Sequence, residues 1–201
     1  MIFRIVQGAS IGSATVFDPS GARVYEVQAN WSRLRQTFRS VRTGEPEFEL
    51  RPAAWFTITQ VLLSLPDEYE IARIRPNMAS RAGSLYYRVW DPVSEIGVLE
   101  MDTPANLEGT VKKELADGLG RRERAARLKE LEQDGSIQRE VDRRLPPGRL
   151  HREGYDLALF HRSVAEKSIR AEGVKSVDRR LLITLGVVAL AMDSAIDPSS
   201  D

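Results

Sequence analysis

The alternation of apolar and polar residues predicts β-structure over the first hundred residues. Short runs rich in β-branched and aromatic side chains are separated by Gly, Pro or Asp, which is typical of β-strands. We predict strands at residues 2–6, 14–17, 23–27, 34–41, 48–50, 55–63, 69–74, 85–90, 96–101 and 155–160. Several of them alternate strictly, as expected where one sheet face is wet. Their regular spacing favours an antiparallel meander that closes or folds over.

Two turns between these strands have similar sequences. They are Asp18-Pro19-Ser20-Gly21 and Asp91-Pro92-Val93-Ser94, and in both an aromatic residue ends the preceding strand. An Asp at this position can accept hydrogen bonds from the backbone just after it, and Pro presets the turn. Two similar hairpins are the simpler interpretation, and an internal duplication is the alternative.

The middle of the chain has a helical pattern instead. Leu107, Val111, Leu115 and Leu119 recur at four-residue intervals, which places them on one helical face. A second, strongly charged helix is predicted at residues 121–132, and the Pro-Pro-Gly sequence at 146–148 ends the region. We therefore predict a single domain over residues 1–201 with a charged helical insert at about 105–145.

The last part of the chain contains an apolar helix. Between residues 181 and 192 only Thr184 is polar, so a helix here needs cover on every side. Twelve residues rise only about 18 Å, too little to span a membrane, so we predict a buried central helix at 178–193 that Asp178 caps. Its predicted buried residues are Leu181, Leu182, Leu185, Val188, Leu190 and Met192.

This helix carries a resemblance to known families. Its start, Asp178-Arg179-Arg180-Leu181-Leu182, and its end, Ala191-Met192-Asp193, together with the hairpin at 18–21, resemble the LURP-one-related and phospholipid-scramblase-like families. These families share the tubby C-terminal-type fold. The resemblance implies a mainly β protein with α: a closed antiparallel β-barrel of about twelve strands around a buried C-terminal hydrophobic helix. An α+β sandwich with the helix covering one sheet face is the alternative.

Composition limits the partners and the compartment. Lys plus Arg and Asp plus Glu number 29 each, so no overall field attracts nucleic acid, and we predict no nucleic-acid partner. The absence of cysteine excludes disulfides, cysteine–zinc sites and thiolate nucleophiles, and it suits the cytoplasm. The first residues lack the pattern of a signal peptide. We expect a cytoplasmic protein that can be peripheral to the membrane.

No group of residues forms a convincing catalytic or metal site. His151 and His161 flank a predicted strand and are ten residues apart, a poor spacing for a shared metal. No serine lies in a nucleophile-elbow sequence. We predict no enzyme activity, no cofactor and no metal. A hydrolase that uses a carboxylate pair such as Glu68 and Glu70 is a further hypothesis, although both are expected on one solvated strand face.

One stretch has a local excess of arginine. Arg33, Arg35 and Arg39 occupy odd positions, so a regular strand presents all three guanidinium groups on one face. Guanidinium groups suit phosphates, and the resemblance implies a non-enzymatic lipid- or phosphoinositide-associated binding or scaffold protein. Anionic phospholipid head groups are therefore the expected ligands. The alternative function is a protein–protein interaction module in which residues 106–144 bind a partner or form a homodimer.

Overall fold

The computed structural model describes residues 1–10, 12–30, 35–54, 57–76 and 84–195, with only the backbone for residues 106 and 192–195. These residues form twelve strands and four helices. The strands are β1 (Ile2–Gln7), β2 (Ala14–Phe17), β3 (Arg23–Asn30), β4 (Arg35–Ser40), β5 (Pro46–Pro52), β6 (Gln60–Ser64), β7 (Glu70–Pro76), β8 (Ser84–Trp90), β9 (Glu95–Asp102), β10 (Gly148–Arg152), β11 (Tyr155–Ser163) and β12 (Ser168–Gly173). The helices are α1 (Pro104–Leu115), α2 (Arg121–Gln133), α3 (Ser136–Arg144) and α4 (Arg179–Ala195).

The strands form one closed antiparallel barrel. Each strand pairs with the next in sequence, and β12 pairs with β1 through partners such as Ile169 and Ile5. This confirms the predicted mainly β barrel, and an open sheet is not formed. Closure satisfies the backbone groups that edge strands would leave unpaired.

The meander gives the barrel two distinct ends. Because neighbouring strands are consecutive and antiparallel, alternate turns lie at the same end. The mouth end carries the turns β2–β3, β4–β5, β6–β7, β8–β9 and β10–β11, the start of β1 and the start of α4. The insert end carries the other turns and the three helices between β9 and β10.

Both similar turns lie at the mouth end and have the predicted hydrogen bonding. The Oδ1 atom of Asp18 accepts hydrogen bonds from the backbone N–H groups of Ser20 and Ala22 at 2.8 and 3.1 Å. The Oδ1 atom of Asp91 accepts bonds from Val93 and Ser94, both at 2.7 Å. These local contacts explain why the turns could be recognised from sequence.

Two strands are absent from the sequence prediction. β10 begins within the Pro-Pro-Gly segment expected only to end the insert, and β12 lies in a stretch whose charges hide its pattern. In β12 the apolar Ile169 and Ala171 are buried, while Arg170 between them is exposed. A two-residue period is present, but it is too short to identify without the neighbouring strands.

Apolar residues on all sides of α4 are buried. Leu181, Leu182, Leu185, Val188 and Leu190 are each 6% exposed or less, and they share one cluster with inward-facing strand residues. The side chain of Met192 lies outside the described residues. No helix in the described ranges has the length and apolarity needed to cross a membrane.

α4 comes very close to β1 at Gly186. A Cβ atom added at Gly186 would lie 2.3 Å from Cδ1 of Ile5 on β1, and Ile5 is itself fully buried. The one polar residue of the apolar run, Thr184, donates its hydroxyl to the carbonyl oxygen of Arg180 at 2.7 Å. This bond satisfies a hydroxyl that is otherwise fully buried.

The chain between β9 and β10 forms three helices where the pattern predicts two. α3 is the additional one, and its separation from α2 depends on Gly135, which has a φ of 72°. The helices have their own small buried cluster, made of Val111, Leu131, Ile137 and Val141. Leu115 and Leu119, predicted on the same apolar face as Val111, are exposed because α1 ends at Leu115.

The carboxylate of Asp142 links these helices to the barrel. Asp142 on α3 accepts hydrogen bonds from the Ser163 hydroxyl at 2.8 Å and from the backbone N–H groups of Val164 and Ala165 in the β11–β12 turn. Val164 also packs against the small buried cluster of the helices. We call this contact the Asp142 latch.

We predict that Leu185→Asp lowers the free energy of unfolding by about 4 kcal/mol or more, because it places a charge among apolar side chains. Urea denaturation measures the change. The matched control is Leu115→Asp, at a side chain that is 38% exposed, and its effect should stay within about 1 kcal/mol. Similar losses for the two variants would contradict the burial of α4.

We predict that Asp142→Ala loosens the three helices without unfolding the barrel, because it removes the acceptor for three donors of the β11–β12 turn. Amide hydrogen exchange should become faster in α1–α3, Val164 and Ala165, and stay unchanged in β1–β9. Asp117→Ala, an exposed carboxylate after α1, is the control. Unchanged exchange in the helices would show that the latch does not hold them.

Candidate functional site

Polar side chains form a connected network where α4 begins, at the mouth end. Asp178 caps the helix, since its Oδ1 atom accepts a bond from the backbone N–H of Arg180 at 2.7 Å. The Arg180 side chain folds back onto the same carboxylate, with 2.7 Å between its Nη2 atom and Oδ2. Cap and ion pair therefore fix the first turn of α4.

Arg180 also connects α4 to the turn between β6 and β7. Its Nη1 atom donates to the Ser64 hydroxyl at 3.0 Å and to the Tyr69 hydroxyl at 2.8 Å. The guanidinium carbon lies 5.5 Å from the centroid of the Tyr69 ring, within the range of a cation–π contact. Both hydroxyls thus accept hydrogen bonds from a permanent cation.

A second pair of groups lies beside this network. The buried Tyr25 donates its hydroxyl to Oε2 of Glu47 at 2.7 Å, and Arg179 reaches the same oxygen at 3.9 Å. Burial, and then the bond to Glu47, raise the pKa of Tyr25 to about 12. Tyr25 is therefore a protonated donor at neutral pH.

The network also sets the charge of Asp178. Burial raises the pKa of this carboxyl, but hydrogen bonds from Arg180 outweigh the burial, and the pKa is lowered below its usual 3.8. Hydrogen bonding with Ser64 and then with Arg180 lowers the pKa of Tyr69. Asp178 is consequently ionised at neutral pH and remains paired with Arg180.

Two clefts adjoin the network. One, of about 470 Å³, lies between the β6–β7, β8–β9 and β10–β11 turns and includes Tyr69, Asp91 and Arg152. The other, of about 640 Å³, includes Glu47, Lys175 and Arg179. In the described part of the chain, no three His, Cys, Asp or Glu side chains are grouped as metal ligands. The clefts therefore offer fixed polar and charged groups, which suit binding.

Exposed apolar side chains surround the same end. Among the described residues ten large apolar side chains are exposed, and seven of them belong to the mouth end. Val93, at the tip of the β8–β9 turn, is 94% exposed, and Tyr155, the first residue of β11, is 77% exposed. We define the apolar rim as Val41, Tyr69, Val93, Tyr155 and Val174.

The sequence analysis did not identify this rim. Its members are single residues in separate turns, and only the barrel topology brings those turns to one end. The available signal was an apolar residue at the tip of a turn whose other residues are polar or Pro, as at Val93. Such a residue has no folding reason to be apolar.

The predicted arginines are not brought to a shared site. Arg33 lies outside the described residues, while Arg35 and Arg39 lie at opposite ends of β4. The Nη1 atom of Arg35 is 3.3 Å from Oε2 of Glu49, and Arg39 donates to the carbonyl oxygen of Gly44 in the β4–β5 turn. Their role in phosphate binding stays a prediction.

Glu49 explains the position of Arg35. Strict alternation along β5 would leave Glu49, between the buried Phe48 and Leu50, on a solvated face, yet Glu49 is only 5% exposed. Burial raises the pKa of Glu49, against the opposing effects of Arg35 and Arg51, which is 3.8 Å away. The charge of Arg35 thus compensates a buried carboxylate.

The proposed carboxylate pair does not form. Glu68 lies in the turn before β7 with a φ of 51°, so it does not share a strand face with Glu70, and that prediction is wrong. Glu68 lies 3.3 Å from Arg51, whereas Glu70 makes two hydrogen bonds to Arg73 at 2.8 and 2.9 Å. Each acid therefore has its own cation.

The histidines are also separate. His151 on β10 is 3.5 Å from Oε2 of Glu100 on β9, and His161 is exposed on β11. Glu100 also accepts a hydrogen bond from the Tyr86 hydroxyl at 2.6 Å. Side chains on three adjacent strands thus interact on the outer face of the barrel.

We predict that Asp178→Asn destabilises the protein by about 1 kcal/mol at neutral pH, because Asn can cap α4 but cannot pair with Arg180 as a charge. The folded-state pKa of Asp178 is lowered below 3.8, so its contribution is present above about pH 4 and is lost as the pH falls through the lowered pKa. Urea denaturation at several pH values should show a gap between wild type and variant that closes in acid. A gap that is unchanged at pH 2 would contradict this.

Comparison of the chain with protein-family models gave no match. Comparisons with curated proteins and with solved structures gave no significant match either. The resemblance to LURP-one-related and scramblase-like proteins therefore remains an expectation based on the residues quoted above. The function has to be inferred from the geometry of the mouth end and of the outer barrel face.

Proposed function

We propose that this protein is a non-enzymatic binding protein that contacts a membrane surface with its mouth end and binds anionic phospholipid head groups there. The observation that carries the proposal is the apolar rim. Val93 and Tyr155 project from two adjacent hairpins and are almost free of protein contacts, at 94% and 77% exposure. Exposed apolar groups concentrated at one end mark an interaction surface rather than random surface composition.

The chemistry of the rim suits the boundary between water and lipid. Two of its members are Tyr69 and Tyr155, and tyrosine is enriched at membrane interfaces because its ring is apolar and its hydroxyl is polar. Exposed cations that can reach head-group phosphates lie at the same end, namely Arg42, Arg152, Lys175 and Arg179.

Charge alone does not explain the proposed attraction of the mouth end to a membrane. Exposed acids, among them Asp67, Glu68 and Glu153, also lie at the mouth end, and the whole chain has a formal net charge of zero. Electrostatic attraction to an anionic membrane is therefore weak. Insertion of apolar side chains should provide most of the affinity, so the binding should depend only weakly on salt.

The proposal includes a barrel that is filled by α4. Burial on every side of α4 supports this arrangement. The mouth end would then be a rigid platform with a closed floor, fixed by the contacts of Arg180 with Asp178, Ser64 and Tyr69. A rigid platform holds the rim side chains in position and lowers the entropy lost on binding.

A protein–protein interaction module is the second candidate. It would use residues 106–144 as a docking arm or as the contact between two copies of the chain. The observation in its favour is the exposure of Leu115 and Leu119 at the end of α1 and in the connection to α2. Among the described residues of the insert end, the exposed large apolar side chains are Ile58, Leu115 and Leu119, fewer than at the mouth end.

We predict that the wild-type protein co-sediments with phosphatidylcholine vesicles that contain phosphoinositides, and that the double variant Val93→Asp/Tyr155→Asp binds at least about tenfold more weakly. The reason is that the wild type inserts two apolar side chains into the membrane, whereas the variant would have to bury two carboxylates there. Raising the salt concentration should change the wild-type binding by less than the double variant does.

The matched control is Ile58→Asp. Ile58 is 49% exposed but lies in the β5–β6 connection at the insert end, so its replacement should leave vesicle binding unchanged. Thermal unfolding of all variants checks that the fold is retained. Indifference of the wild type to vesicles at every salt concentration would overturn the proposal and favour the interaction module.

A further inference from the structure

Two arginines face each other on the outer surface of the barrel. Arg75 on β7 and Arg88 on β8 are direct partners in the antiparallel register. Their neighbours Ile74 and Val89 are buried in the core, so both arginines lie on the outer face and are exposed. Side chains of such partners start about 5 Å apart, and like charges in this position destabilise the sheet.

The cations next to this pair have carboxylate partners. Arg73 is held by Glu70 through two hydrogen bonds, and Nη2 of Arg88 is 2.9 Å from Glu95. Within the described ranges, Arg75 makes no ion pair or hydrogen bond. Among these residues, the charge of Arg75 therefore has no direct partner.

Two acids, Glu70 and Asp91, line the same groove as Arg75, and both are already engaged: Glu70 with Arg73, and Asp91 with backbone N–H groups of its own turn. Arg88 faces Arg75 in the register, and Trp90 lies in the same groove. The guanidinium of Arg88 lies 5.5 Å from the centroid of the Trp90 ring. The surface thus combines two adjacent guanidinium groups with a half-exposed aromatic ring.

The surface is concave rather than flat. A groove of about 410 Å³ is lined by Arg75, Trp90 and Val93 together with Glu70, Arg73 and Asp91, and Arg88 faces Arg75 from the neighbouring strand. Its volume lies within the range of small-molecule sites. A doubly charged phosphate monoester has three oxygen acceptors and can accept hydrogen bonds from two guanidinium groups at once. The negative charge of such a ligand would attract both Arg75 and Arg88 and offset the repulsion between them.

We propose that Arg75 and Arg88 form a binding site for a phosphate monoester, with Trp90 packing against the rest of the ligand. The groove reaches Val93 of the apolar rim, so a lipid head group can supply the phosphate while the rim contacts the membrane. The assignment of a lipid as the source of the phosphate rests on the proposed function. The phosphate site itself rests on the register of β7 and β8.

Glycerol 3-phosphate and vesicles containing phosphatidic acid test the site, because they present the same phosphate monoester in solution and on a lipid. By isothermal titration calorimetry, Arg75→Gln should weaken glycerol 3-phosphate binding about tenfold, with Arg75→Lys in between. The matched control is Arg170→Gln on the outer face of β12, where Arg170 is paired with Glu172. It should bind like the wild type within about twofold.

Thermal unfolding gives a second measurement. It distinguishes a phosphate-binding role of Arg75 from a purely structural one. In phosphate-free buffer of low ionic strength, Arg75→Gln should be at least as stable as the wild type, because the repulsion from Arg88 is gone. Glycerol 3-phosphate should then raise the melting temperature of the wild type but not that of the variant. A variant that is less stable without phosphate would overturn the proposal.

The two ligands show whether the phosphate comes from a lipid or from a soluble molecule. They also test the phosphate site separately from the proposed membrane contact. If Arg75→Gln weakens binding to phosphatidic acid vesicles and Val93→Asp does so too, the phosphate comes from lipid. If Arg75→Gln affects only glycerol 3-phosphate, the site stands with a soluble ligand. If the wild type binds neither ligand, or Arg75→Gln and Arg170→Gln behave alike, the site is refuted, whatever Val93→Asp does to vesicle binding.

Discussion

A helix that is apolar on every side is stable in water only when protein covers it on every side. α4 imposes this requirement, because its buried residues, from Leu181 to Leu190, point in all directions around the helix axis. A closed sheet can provide such cover with one short chain, since its inner face supplies apolar side chains and its closure leaves no edge strand. The same close packing is visible at Gly186, where an added Cβ atom would lie 2.3 Å from Cδ1 of Ile5.

In the proposed arrangement, with α4 inside the barrel, the outer face and the two ends remain for binding. Different contacts hold the two ends. At the mouth end Arg180 ties α4 to the β6–β7 turn through Tyr69 and Ser64, whereas at the insert end Asp142 ties α3 to the β11–β12 turn and the three helices have their own buried cluster.

Many polar groups of the mouth end and of the outer face are engaged with one another. The hydroxyls of Ser64 and Tyr69 bond to Arg180, and the carboxylates of Glu68 and Glu70 each have an arginine partner. Within the described residues, the guanidinium of Arg75 has no such partner, and the apolar rim exposes apolar side chains to water. Both fit a ligand that has an apolar part and a phosphate, which is the chemistry of a phospholipid.

The sequence by itself determined the features that depend on neighbours along the chain. These are the first nine strands in outline, the apolar run of α4, its Asp178 cap and the hairpin turns at Asp18 and Asp91. Strand register and closure decided the rest, because they join residues distant in sequence. They buried Glu49 on a face expected to be wet, kept Arg35 and Arg39 at opposite ends of β4, placed Arg75 opposite Arg88, and brought the separate turns of the apolar rim to one end of the barrel.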